Sequence, residues 1–513
     1  MENRTRMQRL SAFLSGAAIG LFVLLVFTLA VGSHFVTAHE CIYDYPMQDL
    51  IIYWQDQPVI SLLATIGMIA VLMGIAAALN RCARFHAEKL LYALWAIISI
   101  GFLWAIRVQP RADFKVVTDA ALLFAQGDFS PLSDTPYFSD YPYQLGICLP
   151  MEMLKRLFPW ADLALMMQSI NVILSISAVY ALGKVTLLLT ESREDIHAMY
   201  GMYLLFLPMM LYCIYVYGTI PMIAAAAWAL VYFIKFIHDE KWKDGVLFSI
   251  ITATAVVFKP NGMIVLITLI IASLLHSLNR RSIRILPYVL ISAMLSICLP
   301  KWIAYLYEWR SGVVLGESIS MLSRLVMGFQ RSSVAAGWFN GYTALYSPSV
   351  MPPEEARVFL LADLHTQFKA FFTEPASLWQ FLKEKCMSQW LEPTYSTFWN
   401  ATLGEPLGRY NGLAYLAFRE ESVFRQMMER IMGAYQQALY VLCAIGGFAA
   451  LRRKRDASQA LLPIVILGGF LYHQIFEAKS QYIYVYAFFL MPLAAQGLTA
   501  VASWIARRRG MAK

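Results

Sequence analysis

The sequence predicts an all-α polytopic membrane protein, a bundle of about twelve membrane-spanning helices with further helices in its external loops. Three observations predict it. Of 513 residues, 59% are hydrophobic and only 14% charged, a balance far more apolar than soluble domains carry. The apolar residues fall in runs of about twenty, the length that crosses roughly 30 Å of hydrocarbon at about 1.5 Å per residue. Basic residues fall in short clusters on alternate sides of those runs, the asymmetry that orients a membrane protein. A net charge of +8 distributed in this way orients the chain and makes no nucleic-acid surface, so no nucleic-acid partner is expected.

The elements follow in order. Met1–Leu10 carries Arg4, Arg6 and Arg9 and leads into the run Ser11–Val31. That run is too long for the core of a cleaved leader and no small-residue cleavage site follows it, so it reads as the first span with the amino terminus inside. The loop Ser33–Gln57 has no Lys or Arg, whereas the loop after the second span, Pro58–Leu79, has Arg81, Arg84 and Lys89. The third span, about Leu90–Ile106, then delivers Arg107–Pro159 to the outside, and the fourth, about Leu163–Leu189, returns to Arg193 inside. Spans at about Ala198–Tyr217 and Ile220–Ile237 meet in the outer turn YGTIP. The run Gly245–Leu278 is too long for one span and is broken by FKPNG, residues 258–262. Reading it as two short spans, with the Lys-Pro turn outside, keeps Arg280, Arg281 and Arg284 inside.

A further span, about Ile285–Leu306, precedes Tyr307–Arg430, whose mixed polarity and helical periodicity predict an external helical segment. The last spans, about Ala434–Leu451, Leu461–Ile475 and Tyr482–Ile505, are separated by RRKR inside and EAKSQ outside, and Arg507-Arg508-Arg509 closes the chain on the cytoplasmic side. The chain thus divides into residues 1–306, a transmembrane module with an external acidic loop at 107–159; residues 307–430, the external segment; and residues 431–513, the closing transmembrane helices. Seven scattered cysteines show no metal-ligand spacing and no disulfide framework, although Cys41, Cys148 and Cys386 leave one external bridge open. His365 and His473 likewise lack partners at ligand spacing.

Arg107–Gly146 is the polar stretch around which the rest is organised. It holds Asp113, Asp119, Asp128, Asp134 and Asp140 beside Tyr137, Tyr141 and Tyr143. A carboxylate-rich segment too polar for hydrocarbon works at the membrane surface, where a general base would act. Asp113 lies just beyond a span, and Asp119, six residues on, would face another side of a helix. Asp128, in GDF, suits a turn or cap.

The path from Asp113 through GDF to YFSDYPYQLG, the YGT turn, FKPNG between spans, the large late segment and FEAKSQYIYVY near the end together resemble the GT-C superfamily of membrane glycosyltransferases. Within it the chain is similar to bacterial relatives of protein O-mannosyltransferases and of the lipid A aminoarabinose transferase. The stretch SQWLEPTYSTFW also resembles one in Gram-positive cell-surface glycosyltransferases. The resemblance implies a GT-C-type bundle in a bacterial plasma membrane, surrounded by membrane lipid, with its active site outside. It implies a polyprenyl-phosphate sugar donor and an extracytoplasmic acceptor, namely a cell-wall polysaccharide, teichoic acid, glycolipid or protein.

In such a transferase an aspartate of the first loop deprotonates the acceptor hydroxyl, and the matching position is Asp113. The chain departs from the pattern in having Ala112 and Phe114, not an acid, beside Asp113, and Gln481, not a basic residue, before Tyr482. Lys259 or Lys479 would hold the donor phosphate as a point charge. Arg324 and Arg331, which bracket VMGFQ, would add phosphate or acceptor contacts. Asp119, Asp140, Tyr137, Tyr141, Tyr482 and Glu477 complete the expected substrate-binding set. Each has a plainer reading as a solvated loop acid, a snorkelling lysine or an interface aromatic. No cofactor is expected, because the leaving phosphate carries the activation. A divalent metal, used by some related transferases, is left open by the loop aspartates. Two other classes compete: a transporter or flippase of lipid-linked glycans, which should show two similar halves and shows no internal repeat, and a polymerase, whose chemistry would sit in the late segment alone.

Overall fold

A helix that is apolar on every side has no aqueous face and is at home only in hydrocarbon or deep in a core. The computed structural model describes residues 6–44, 47–83, 87–402, 412–452 and 457–508, and among these residues ten helices are long and apolar enough to cross a membrane. Of the orienting basic residues, Arg4, Arg84, Arg453, Lys454, Arg455 and Arg509 lie outside the described residues. The architecture is that of a mostly helical polytopic protein. Burial ranks the helices: the most apolar stretches of Thr219–Asp239 and Ser480–Arg508 are 78% buried and form the centre, while those of Pro58–Arg81 and Leu286–Ser311 are 17% buried and lie at the edge.

The expected dozen is reduced at two places. Ala198–Tyr217 is two short helices, Arg193–Leu204 and Leu207–Tyr212, because Pro208 has no N–H for a continuing helix and starts a new one instead. Gly245–Leu278 does divide at FKPNG, and its first half, Trp242–Phe258, has 17 residues and is shorter than any of the ten. Its chain then turns extended at Lys259, with φ −158° and ψ 134°, and resumes as Gly262–Arg280.

The loop after the first span adds a strand element to the helical expectation. Val36–Asp44 and Met47–Gln55 pair antiparallel, Val36 opposite Gln55, a stretch whose β-branched and aromatic residues suit a pleated surface. This hairpin docks on the late segment, with Ala38 N donating to Leu391 O at 2.9 Å and Ile51 N to Val334 O at 3.3 Å.

The expected boundaries at 306 and 431 fall inside helices. Leu286–Ser311 continues past 306 because its polar end is satisfied by protein. Tyr307 donates to Glu152 Oε2 at 2.8 Å and Arg310 pairs with the same carboxylate. Val423–Arg452 starts before 431, where buried Arg425 donates to Glu429 at 2.8 Å and to Phe418 O at 2.6 Å. The acidic loop is itself folded: helices Ala112–Gln126 and Leu145–Leu157 close on Phe114, Val117, Phe124, Phe138, Ile147 and Met151, a core separate from that of the main bundle. The late segment includes the helices Met321–Gly328, Pro353–Thr373 and Pro375–Trp390.

Candidate active site

Two glycines decide where the short motifs meet. Gly218, in the YGT turn, has φ +76°, and a Cβ there would run into the carbonyl of Phe258; a Cβ on Gly146, at the end of YFSDYPYQLG, would run into that of Val257. Only a residue without a side chain lets three backbones approach so closely. Their meeting places Thr219 beside Lys259, whose Nζ donates to Thr219 Oγ1 at 2.7 Å. The same ammonium lies 4.5 Å from the ring centre of Tyr217 and 6.0 Å from that of Tyr482, within cation–π range.

A cleft lies at these helix ends, with Tyr143, Gln144, Lys259, Arg324, Glu477 and Tyr482 among its lining. Arg324 enters from the Met321–Gly328 helix and lies over the rings of Tyr141 and Tyr143, 5.6 and 5.9 Å from their centres. Glu477 accepts from Tyr482 Oη at 2.9 Å. His473 stacks on Tyr482, its ring centre 5.2 Å away, and holds the Glu477 carbonyl 3.3 Å from Nδ1. Asp113 stands in the first turn of Ala112–Gln126 and accepts from Tyr137 Oη at 2.9 Å, while Gln144 Nε2 donates to Tyr137 Oη at 3.3 Å. Asp113 therefore joins the cleft through Tyr137 and Gln144. Ala112, immediately before it, has φ +45°, a left-handed conformation that costs a non-glycine residue about 1–3 kcal/mol and is held by its surroundings.

The electrostatics are those of two buried cations beside a buried carboxyl. Burial drives the Lys259 amine down to about 7, against the pull of Asp113 and Glu477. Burial raises the Glu477 carboxyl, against its hydrogen bond from Tyr482 and the charges of Arg324 and Lys479. Arg324 is held above its ordinary value: burial opposes its charge, but Tyr143 and Glu477 outweigh it. An anion entering between Lys259 and Arg324 would restore the lysine's proton and gain from low dielectric.

Of the residues expected from sequence, the structure gathers Asp113, Tyr137, Tyr141, Lys259, Arg324, Glu477 and Tyr482 in or against this cleft. Lys479 lies just behind, 5.9 and 5.5 Å from the ring centres of Trp338 and Trp399. Three others stand elsewhere. Asp119 pairs with Lys115 on an exposed helix face, as the helical phase between it and Asp113 requires. Arg331 pairs with Glu384 and lies 5.9 Å from the Phe381 ring centre. Asp140 is buried and accepts from Ser347 Oγ at 2.7 Å, tying the acidic loop to the late segment. Asp128 accepts from Ser130 N at 2.9 Å, the turn role its GDF context suggests.

Sequence reasoning passed over Gln144, Thr219 and Tyr472 as lining or contact residues, and treated His473 as an interface histidine. Thr219 carried a signal in its place in the YGT turn, and Gln144 in its place within YFSDYPYQLG. It also gave no role to Glu392 within SQWLEPTYSTFW. This buried carboxylate accepts from Thr394 N, Thr394 Oγ1 and Ser396 N at 2.9, 2.6 and 2.8 Å, holding Tyr395 and Ser396 at φ 54° and 56°. Ser396 and Ser480 hydroxyls then meet at 2.6 Å, so the motif anchors the start of the Tyr482 helix. Among the described residues no group of three His, Cys, Asp or Glu side chains is placed to hold a metal ion. No protein-family model matches the chain, and no curated protein matches it significantly.

Proposed function

We propose that this chain is a membrane glycosyltransferase of the GT-C type, moving a sugar from a polyprenyl-phosphate donor to the hydroxyl of an extracytoplasmic glycan, glycolipid or protein in a bacterial plasma membrane. One observation carries the reading: two cations, Lys259 and Arg324, line one aromatic cleft where the ends of apolar helices meet, and a carboxylate, Asp113, is joined to that cleft through Tyr137 and Gln144. A lipid-linked headgroup reaches such a place from the bilayer, and its tail stays in hydrocarbon.

The chemistry follows from those groups. Asp113 takes the proton of the acceptor hydroxyl, whose oxygen forms a bond to the anomeric carbon from the face opposite the phosphate. The bond between that carbon and the phosphate oxygen breaks, its electron pair leaves on the phosphate, and Lys259 and Arg324 stabilise the charge. The products are a glycoside of inverted configuration and polyprenyl phosphate. Tyr141, Tyr143 and Tyr482 offer faces for the sugar ring, and Tyr137 orients the base. The leaving group brings its own activation, so this scheme uses no nucleotide.

The test is the purified full chain in lipid vesicles with radiolabelled polyprenyl-phosphate sugars and candidate acceptors. Label in an acceptor of inverted anomeric configuration, with release of polyprenyl phosphate, is the expected result. Movement of the intact lipid across the bilayer without transfer would overturn the reading in favour of a flippase.

A further inference from the structure

Behind the cleft three segments meet backbone to backbone. The end of the Met321–Gly328 helix, which carries Arg324, lies against the loop that carries Glu477: a Cβ on Gly328 would come within 2.5 Å of Ile475 O and 2.7 Å of Phe476 C. The turn at Gly337, φ +74°, closes on the same place, and its carbonyl accepts from Ala478 N at 2.8 Å. Trp338 and Ala478 continue this as a parallel bridge.

Into the seam runs Lys385, from the Pro375–Trp390 helix, with none of its surface exposed. Its Nζ donates to Gly328 O and to Phe476 O, the latter at 2.7 Å. The amine lies 5.5 and 5.9 Å from the ring centres of Phe329 and Phe381. The charged groups that sense it are Glu477 and His473, and the Arg331–Glu384 pair lies beyond Phe381.

An amine is an expensive group to bury, and a seam needing only volume would be filled by an apolar side chain. What the amine does here is join two carbonyls from two separate elements that each carry a lining residue of the cleft. Gly328 closes the helix of Arg324, and Phe476 is the neighbour of Glu477. Burial takes the amine down to about 7, but a neutral amine keeps two hydrogens for two carbonyls, so the join does not depend on its charge.

We propose that Lys385 is a positioning residue that binds the Gly328 and Phe476 carbonyls into one seam and thereby fixes the spacing of Arg324 and Glu477 across the cleft. The consequence for catalysis rests on the glycosyltransferase reading; the seam itself does not.

Two measurements on the full chain in lipid discs separate these. In Lys385→Met, hydrogen–deuterium exchange over residues 476–479 should quicken by about tenfold, the loss of one to two hydrogen bonds to a buried amine, while the Thr219–Asp239 helix is unchanged. In the transfer assay the same variant should raise donor KM about tenfold with a smaller change in kcat. Combined with Arg324→Ala, it should add little to the loss that Arg324→Ala causes alone, because both act on the same contact. Unchanged exchange over 476–479 in a folded variant would overturn the proposal. So would quickening spread evenly over the spans, or an effect that adds fully to Arg324→Ala. Should the methionine variant fail to fold, Lys385→Gln, which keeps an N–H but is shorter, must still exchange faster than wild type over 476–479, and failure to do so would likewise overturn it. A wild type that transfers no sugar refutes the enzyme reading and leaves the exchange result to decide the seam.

Discussion

Lys259→Met tests whether the cleft binds the donor phosphate as proposed. The side chain is buried, and methionine is only one atom shorter, so the change removes one charge and one bond to Thr219 Oγ1 while filling most of the space. A hydrogen bond between charged partners contributes about 1.5–3 kcal/mol, and at about 1.4 kcal/mol per decade this predicts a donor KM raised roughly 10- to 150-fold below neutral pH. The pH dependence gives a second, independent handle. In the empty cleft the amine titrates at about 7, so wild-type donor affinity should fall as pH rises through that value. The variant should lack this limb.

Stability should move the opposite way. The folded value lies below the ordinary 10.5, so between about 7 and 10.5 the unfolded chain binds the extra proton, and wild-type stability rises with pH across that window. The variant should lose that share of the rise. Initial transfer rates from pH 6 to 9, with tryptophan-monitored unfolding of the same samples, measure both. An unchanged donor KM below pH 7, or a pH limb that survives in the variant, would refute the argument that Lys259 meets the phosphate.

Other perturbations sort structural from chemical roles. Glu152→Gln should lower stability by about 2–3 kcal/mol, less than the 3–5 of a fully buried pair because Arg310 keeps 21% of its side chain exposed, and should lower the unfolding temperature. The hydrogen bonds from Arg310 and Tyr307 outweigh burial and hold Glu152 below its usual range, so wild type should lose this stabilisation as pH falls below the carboxylate range, and the variant should not. Asp119→Asn and Arg331→Ala alter exposed or half-exposed ion pairs away from the cleft and should change transfer by less than about twofold, with stability within about 0.5 kcal/mol by thermal unfolding. Tyr137→Phe removes the hydrogen bond to Asp113 and should reduce kcat about tenfold with donor KM nearly unchanged, as steady-state kinetics would show.

The long helices were legible because hydrocarbon demands an uninterrupted apolar run, and runs such as Leu163–Leu189 and Pro58–Leu79 supply it without ambiguity. Average apolarity is blind to where a backbone hydrogen bond is lost, which is why Pro208 divides a stretch that reads as one span. It is equally blind to a polar helix end that finds protein partners, as Tyr307 and Arg310 do. The hairpin at 36–55 was hidden in a stretch whose lack of basic residues marked only its side of the membrane.

In the site, Lys259 and Glu477 stood out as charges beside proline and aromatic residues in otherwise apolar sequence. Asp113 and Asp119 differed by helical phase, which the structure turns into cleft and surface. Lys385 left no trace, because a lysine in the polar helix Pro375–Trp390 looks like any solvated lysine until the fold buries it. The use of Gln144 was hidden, since it depends on Tyr137 arriving from seven residues away in sequence.

The most direct measurement is sugar transfer by the full chain and by Asp113→Asn, each in the same vesicles with the same polyprenyl-phosphate sugar and acceptor, alongside donor binding. The account predicts that the variant binds donor within about threefold of wild type and transfers about 10²- to 10⁴-fold more slowly, the loss expected for a general base. Equal transfer by the two proteins would contradict it.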